Sequence, residues 1–155
     1  MSTTKASYAT STAATITLTS LGNGSAREST AIVNTTNLYL DAQLYVACKL
    51  VAGTPSGGID VYLYGSEDGT NYDDNATGTD AAITLRTPCN LVLIGRIQTE
   101  TAGALTWKMS FKSLAASFGG VLPRKWGCVI SNQTGLAFDS TGNSVTYTGI
   151  YAQTV

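Results

Sequence analysis

The sequence contains no histidine. Among its 155 residues are only nine Lys plus Arg against ten Asp plus Glu, so that 12% is charged and the net charge is -1. An ordinary soluble domain carries about 25% charged residues. Each shortage excludes something. Without imidazole there is no Ser-His-Asp or Cys-His machinery and no histidine metal ligand. A near-neutral chain does not grip phosphate backbones through net charge, which argues against general nucleic-acid binding. No apolar run approaches the ~20 residues that a membrane-crossing helix needs. Residues 1–14 are rich in Ser, Thr and Ala with Lys5 as their one charge, and lack the apolar centre of a signal peptide. Cysteine is limited to Cys48, Cys89 and Cys128, an odd number with no C-x-x-C pair. These are expected to be free, Cys48 and Cys128 as small buried hydrophobes and Cys89, next to Pro88 in a turn, more exposed. Solubility then falls to Thr, Ser, Asn and Gly. Four N-x-S/T triplets, beginning at Asn23, Asn34, Asn75 and Asn132, follow from that composition rather than from glycosylation.

What is present is period two. Leu38, Leu40, Ala42, Leu44, Val46, Cys48 and Leu50 all fall on even positions, with Tyr39, Asp41, Gln43, Tyr45 and Lys49 between them. That is a long strand with one buried face, its even residues turned to the core. Leu105, Trp107, Met109 and Phe111 alternate in the same way with Thr106, Lys108, Ser110 and Lys112. Shorter alternations occur at 15–19, 59–64, 83–85, 125–131 and 145–151, with a brief candidate at 31–33. Residues 90–97 are apolar on both faces, as in a central or interface strand. The turns are supplied by Gly22-Asn23-Gly24, Pro55 to Gly58, Thr87-Pro88, Gly119-Gly120, Gly135 and Gly142-Asn143. Lys112 to Ala116 is the one candidate helical turn. About eight or nine strands at this spacing predict an all-β, antiparallel β-sandwich. Its long connections favour a jelly-roll or Greek-key path. The expected organisation is an extended N-terminal arm over 1–14 and a single sandwich domain over 15–155. An arm of that length spans on the order of 45 Å, enough to reach a neighbouring subunit.

Candidate sites are few. Asp68, Asn71, Asp73 and Asp74 carry oxygens suited to a hard cation, but their spacing departs from a calcium loop and suits a solvated turn equally well. Ser110 and Lys112 share a strand face, as alternating surface residues do. Trp107 and Trp126 are in phase with aliphatic neighbours, which predicts core packing. Tyr39, Tyr45, Tyr62 and Tyr64 take the opposite phase and are expected to face outward, as a protein interface or a sugar-binding face. Six of the ten acids lie from Asp60 to Asp80, while Arg124 and Lys125 follow the shaped loop Phe118 to Pro123. Tyr39, Tyr45, Tyr62, Tyr64, Arg124 and Lys125 are therefore the candidate interface residues. No catalytic, cofactor-binding or metal-binding residue is assigned, and enzyme activity is not expected.

Three stretches carry a resemblance: Asn34 to Ala42, Tyr64 to Tyr72 and Phe118 to Gly127. They resemble small virion structural proteins of tailed bacteriophages, over roughly residues 28–150. The resemblance implies a β-sandwich component of the particle, of the capsid decoration or head-accessory type. Its implied partners are the major capsid protein and further copies of itself, as a homotrimer, with neither nucleic acid nor membrane. The implied location is the capsid surface, after assembly in the host cytoplasm. The alternative it leaves open is a tail- or fibre-associated module that binds a host carbohydrate or receptor.

Overall fold

The computed structural model describes residues 2–155. Among these, eleven strands, one turn of α-helix and one 3-10 helix follow in order. They are β1 (Thr4–Tyr8), β2 (Thr12–Ala13), β3 (Ala26–Glu28), β4 (Ile32–Val33), α1 (Asn34–Asn37), β5 (Asp41–Lys49), β6 (Gly57–Ser66) and β7 (Ala81–Ile83). Then come β8 (Val92–Thr99), β9 (Thr106–Phe111), the 3-10 turn Leu114–Phe118, β10 (Lys125–Gln133) and β11 (Ser144–Thr154). One sheet runs β1-β11-β5-β9, with β2 also on β11; the other runs β7-β3-β10-β6-β8, with β4 also on β10. Every pairing is antiparallel. With β2, β4 and β7 set aside, the remaining eight strands, numbered along the chain, stand in the order 1-8-3-6 against 2-7-4-5. That is the order of a jelly roll.

The alternation explains the core. Ala42, Leu44, Val46 and Cys48 of β5 face Ile59, Val61 and Leu63 of β6 and Trp126, Cys128 and Ile130 of β10, all buried. Trp126 meets Tyr147 of β11 edge to face, ring centres 5.6 Å apart. A second apolar layer lies outside the β6–β10 sheet. There Tyr64, Val129 and Ala26 are covered by Tyr72, Ala76, Ile83, Leu85, Cys89 and Leu91, brought over by residues 67–91. β6 is consequently buried on both faces along much of its length.

Several expectations are corrected. Of the expected arm over 1–14, residues 4–8 and 12–13 are strands of the sandwich rather than an extension outside it. β1 is the first strand of the jelly roll, paired from Thr4 opposite Thr154 to Tyr8 opposite Ile150, and β2 lies beside Thr146 and Tyr147; Met1 lies outside the described residues. Ser/Thr-rich composition concealed this strand, because both its faces are wet. Residues 15–19 keep their alternating burial without joining a ladder; the Thr17 amide is bonded instead by the Asp80 carboxylate. The even phase of the long strand holds from Ala42 to Leu50, whereas Leu38 and Leu40 are exposed, because α1 and a left-handed Leu38 precede the strand. Residues 92–99 form an edge strand rather than a central one, with Leu93 exposed.

Candidate interaction surface

The structure brings two of the six candidate interface residues, Tyr39 and Arg124, into one groove and leaves the other four apart from it. Tyr45 points outward from β5, between Ser110 of β9 and Thr146 of β11. Tyr62 is half-buried beneath the 67–91 cover, where burial first and the Asp60 carboxylate second push its hydroxyl pKa up. Tyr64 is a correction: it is fully buried and donates from its hydroxyl to the Ser29 carbonyl at 2.6 Å. Its ring tip rests on Gly127, where a Cβ would collide with the phenol. Outward phase did not mean exposure here, because a second layer covers that face. Lys125 is half-buried and its side chain runs beside Gly69 of the acidic turn, so the basic and acidic segments are neighbours within one molecule.

Tyr39 and Arg124 do come together. With Leu38, Leu40, Val121 and Leu122 they line an open groove of about 360 Å³ at one end of the sandwich. Leu38 is 70%, Leu40 57% and Val121 68% exposed, which makes this a concentrated apolar surface rather than scattered leucines. Asn34 builds it. Its amide N–H donates to the Arg124 carbonyl at 2.8 Å, its Oδ1 accepts from the Tyr39 amide at 2.8 Å, and its Nδ2 donates to the Tyr39 carbonyl at 3.0 Å. Between these anchors Leu38 caps α1 at φ 54° and ψ 36°, a left-handed conformation that a leucine seldom adopts. Tyr39 is seated by Gly149, whose missing side chain leaves room for the ring. The even phase had marked Leu38 and Leu40 as apolar; nothing in the periodicity marked them as exposed.

The acidic segment is a structural turn. Asp68 accepts from the Thr70 and Asn71 amides, both at 2.8 Å, and from the side chains of Ser66 and Asn71. The Asn71 amide, then that of Thr70, hold its carboxyl well below the usual range. Asp73 accepts from the Gly65 amide at 2.7 Å, while Asp74 accepts from the Asn90 amide and pairs with Arg86. Only Glu67 of this group presents a carboxylate to solvent without such a bond among the described residues. Sequence reasoning passed over Glu28, 1% exposed, whose carboxylate accepts from the Thr77 amide and hydroxyl and the Gly78 amide. These bonds tie the 67–91 cover to β3. Asp60, 6% exposed, pairs through both oxygens with Arg96 across β6 and β8. Cys48, Cys89 and Cys128 are free; burial pushes the thiols of Cys48 and Cys128 up to about 12. Asn34 and Asn132 of the N-x-S/T triplets are buried and bonded, so both amides serve the fold.

No family model matches this sequence, and no curated protein matches it. A solved structure of Desmodium yellow mottle tymovirus aligns over 99% of this chain and 87% of that chain, at 14% identity and a TM-score of 0.34. A likeness at that level bears on neither fold nor function.

Proposed function

We propose that this chain is a structural protein of a phage virion, a capsid decoration or head-accessory subunit without enzymatic activity. It sits on the capsid surface, where it binds the major capsid protein and its own copies as a trimer, and stabilises the assembled shell. The observation that carries the reading is the jelly-roll order with a filled interior: Leu44, Val46, Leu63, Trp126 and Ile130 occupy the space between the sheets. Jelly rolls serve in viral shells, lectins and cupins, and the last of these work from an open barrel interior. A packed interior leaves the surface as the working part, and the most apolar surface is the groove beside Arg124. The three stretches that resemble phage virion proteins include the walls of that groove, Asn34 to Ala42 and Phe118 to Gly127.

The experiment is to mix purified protein with shells that lack it, then count bound copies and measure shell stability against heat. Saturating, stoichiometric binding that raises the shell's melting temperature supports the reading. A protein that ignores shells but binds host-surface glycans overturns it in favour of a receptor-binding module.

A further inference from the structure

We propose that the groove formed by Leu38, Tyr39, Leu40, Val121 and Leu122 is the self-association surface, covered in solution by the same end of neighbouring copies of this chain. The inference rests on the reading of the protein as a self-assembling virion subunit, and it names the residues that do the assembling. Three observations carry it. Leu40 continues the core-facing phase of Ala42, Leu44 and Val46, yet within one chain nothing covers it, and it remains 57% exposed. Leu38 is held in a left-handed conformation that disfavours any residue with a Cβ. Asn34 clamps Tyr39, the residue after Leu38, through both its amide and its carbonyl, so a leucine is presented to water where a glycine would be at ease. Strained residues over-determined by their surroundings concentrate at binding surfaces.

Charge identifies the occupant as a further copy. Arg124 lines the groove, exposed, with no carboxylate in ion-pair range among the described residues. The loop from Phe118 to Arg124 lines two hollows: Val121, Leu122 and Arg124 line the groove, and Phe118 lines another together with Glu67 and Asp68. Each copy thus carries a base without an ion pair among the described residues in its apolar groove, and an exposed acid in the hollow that the same loop lines at its Phe118 end. Copies arranged around a common axis bring the apolar patches together and set Arg124 of each against Glu67 of the next. Such a head-to-tail contact closes into a ring when its rotation is the threefold one of a trimer. Its apolar centre and charged rim follow the usual division between affinity and orientation.

The test is sedimentation velocity on the full chain and on Leu38→Gly, Val121→Ser, Arg124→Glu and the exchanged pair Glu67→Arg with Arg124→Glu. Wild type is expected to sediment as an oligomer. Leu38→Gly combined with Val121→Ser is expected to weaken association about tenfold or more, with a melting temperature no lower at a concentration where both are monomers. Arg124→Glu is expected to weaken association, and the exchanged pair to restore part of it. A wild-type monomer at the highest soluble concentration overturns the inference, as does a Leu38→Gly, Val121→Ser protein that associates unchanged. Shell binding reports separately: an oligomer that is lost in the double variant but never binds shells overturns the virion reading alone. Monomers that coat shells normally overturn this inference and leave the virion reading in place.

Discussion

Leu44 has no exposed surface, and a carboxylate placed there would have neither solvent nor a partner. Leu44→Asp is expected to remove the cooperative fold, since a lone buried charge costs several kcal/mol at least; a soluble variant with a sharp melting transition would place the β5 register in error. Glu28 is the opposite case, a buried carboxylate whose oxygens are fully engaged. Glu28→Gln keeps an oxygen on the Thr77 and Gly78 amides but turns the acceptor facing the Thr77 hydroxyl into a donor and removes the charge that strengthens all three bonds; it is expected to cost about 1–3 kcal/mol, read as a lower urea midpoint at unchanged slope. The same scale sets the pH range. Cys48 and Cys128 stay protonated in the fold up to about 12, against an ordinary thiol value of 9.0. Their contribution is therefore complete below pH 9 and is lost as pH rises from there toward 12. Asp68 and Asp139 are held below the ordinary carboxyl value of 3.8, chiefly by the backbone amides of Asn71 and Thr141, so their contribution is lost as pH falls below it. Thermal unfolding followed across pH should show a plateau bounded by these two declines. Burial of Leu44 was legible because hydrophobicity at period two reports a face. That of Tyr64 and Glu28 was not: a strand's pattern does not say whether a distant loop will cover its other side.

At the scale of elements, the alternating segments became strands β5, β6, β9, β10 and β11 within a few residues of the expected limits. Each has one face against the core, and that contrast is what periodicity measures. β1, β2 and β3 went unseen for different reasons. β1 is wet on both faces, β2 has two residues, and β3 carries Arg27 and Glu28 in its three. The N-terminal strand gives a graded prediction. β1 pairs with the end of β11 beyond the point where β5 stops, at Ile150 opposite Asp41, so its half of the strand is a two-stranded ribbon. Deleting residues 2–8 should cost roughly 1 kcal/mol or less, because such ribbons are marginal and exposed. Extending the deletion to residue 14 also removes β2, the Ala14 amide bond to Val145 at 2.9 Å and the packing of Ala14 on the core. That longer deletion should lower the melting temperature by several degrees more than the first. Equal effects from the two deletions would mean that the strand does not continue past Ala9 as an integral part of the sheet.

For the molecule as a whole, the sandwich class was legible from strand count and spacing, whereas the order 1-8-3-6 against 2-7-4-5 was not. Alternation tells which way a side chain points and is silent about which strand lies alongside. The candidate site was legible in part: Asn34 to Ala42 and Phe118 to Gly127 were singled out, but as separate segments, and only the fold joins them at Asn34 and Arg124. The charge deficit that opened the sequence now has a consequence for assembly. Charged residues make up 12% of the chain, and eight of the nineteen are already paired within it, as Arg27–Asp80, Lys49–Asp139, Arg86–Asp74 and Arg96–Asp60. Of the charges left over, Arg124 alone lines the apolar groove. Apolar contact through Leu38, Leu40 and Val121 must therefore supply most of the affinity between copies, with Arg124 and Glu67 contributing orientation and little energy. Salt separates the two contributions. Near 1 M ionic strength the screening length falls to about 3 Å, which silences exposed charge pairs and leaves apolar burial intact or strengthened. The sedimentation coefficient of the wild-type oligomer at fixed concentration is expected to be the same at low salt and at about 1 M salt, with slower assembly at high salt as steering is lost. An oligomer that dissociates as salt rises would mean that charge holds the copies together, and would move the self-association surface from the apolar groove to the acidic turn and its basic neighbour Lys125.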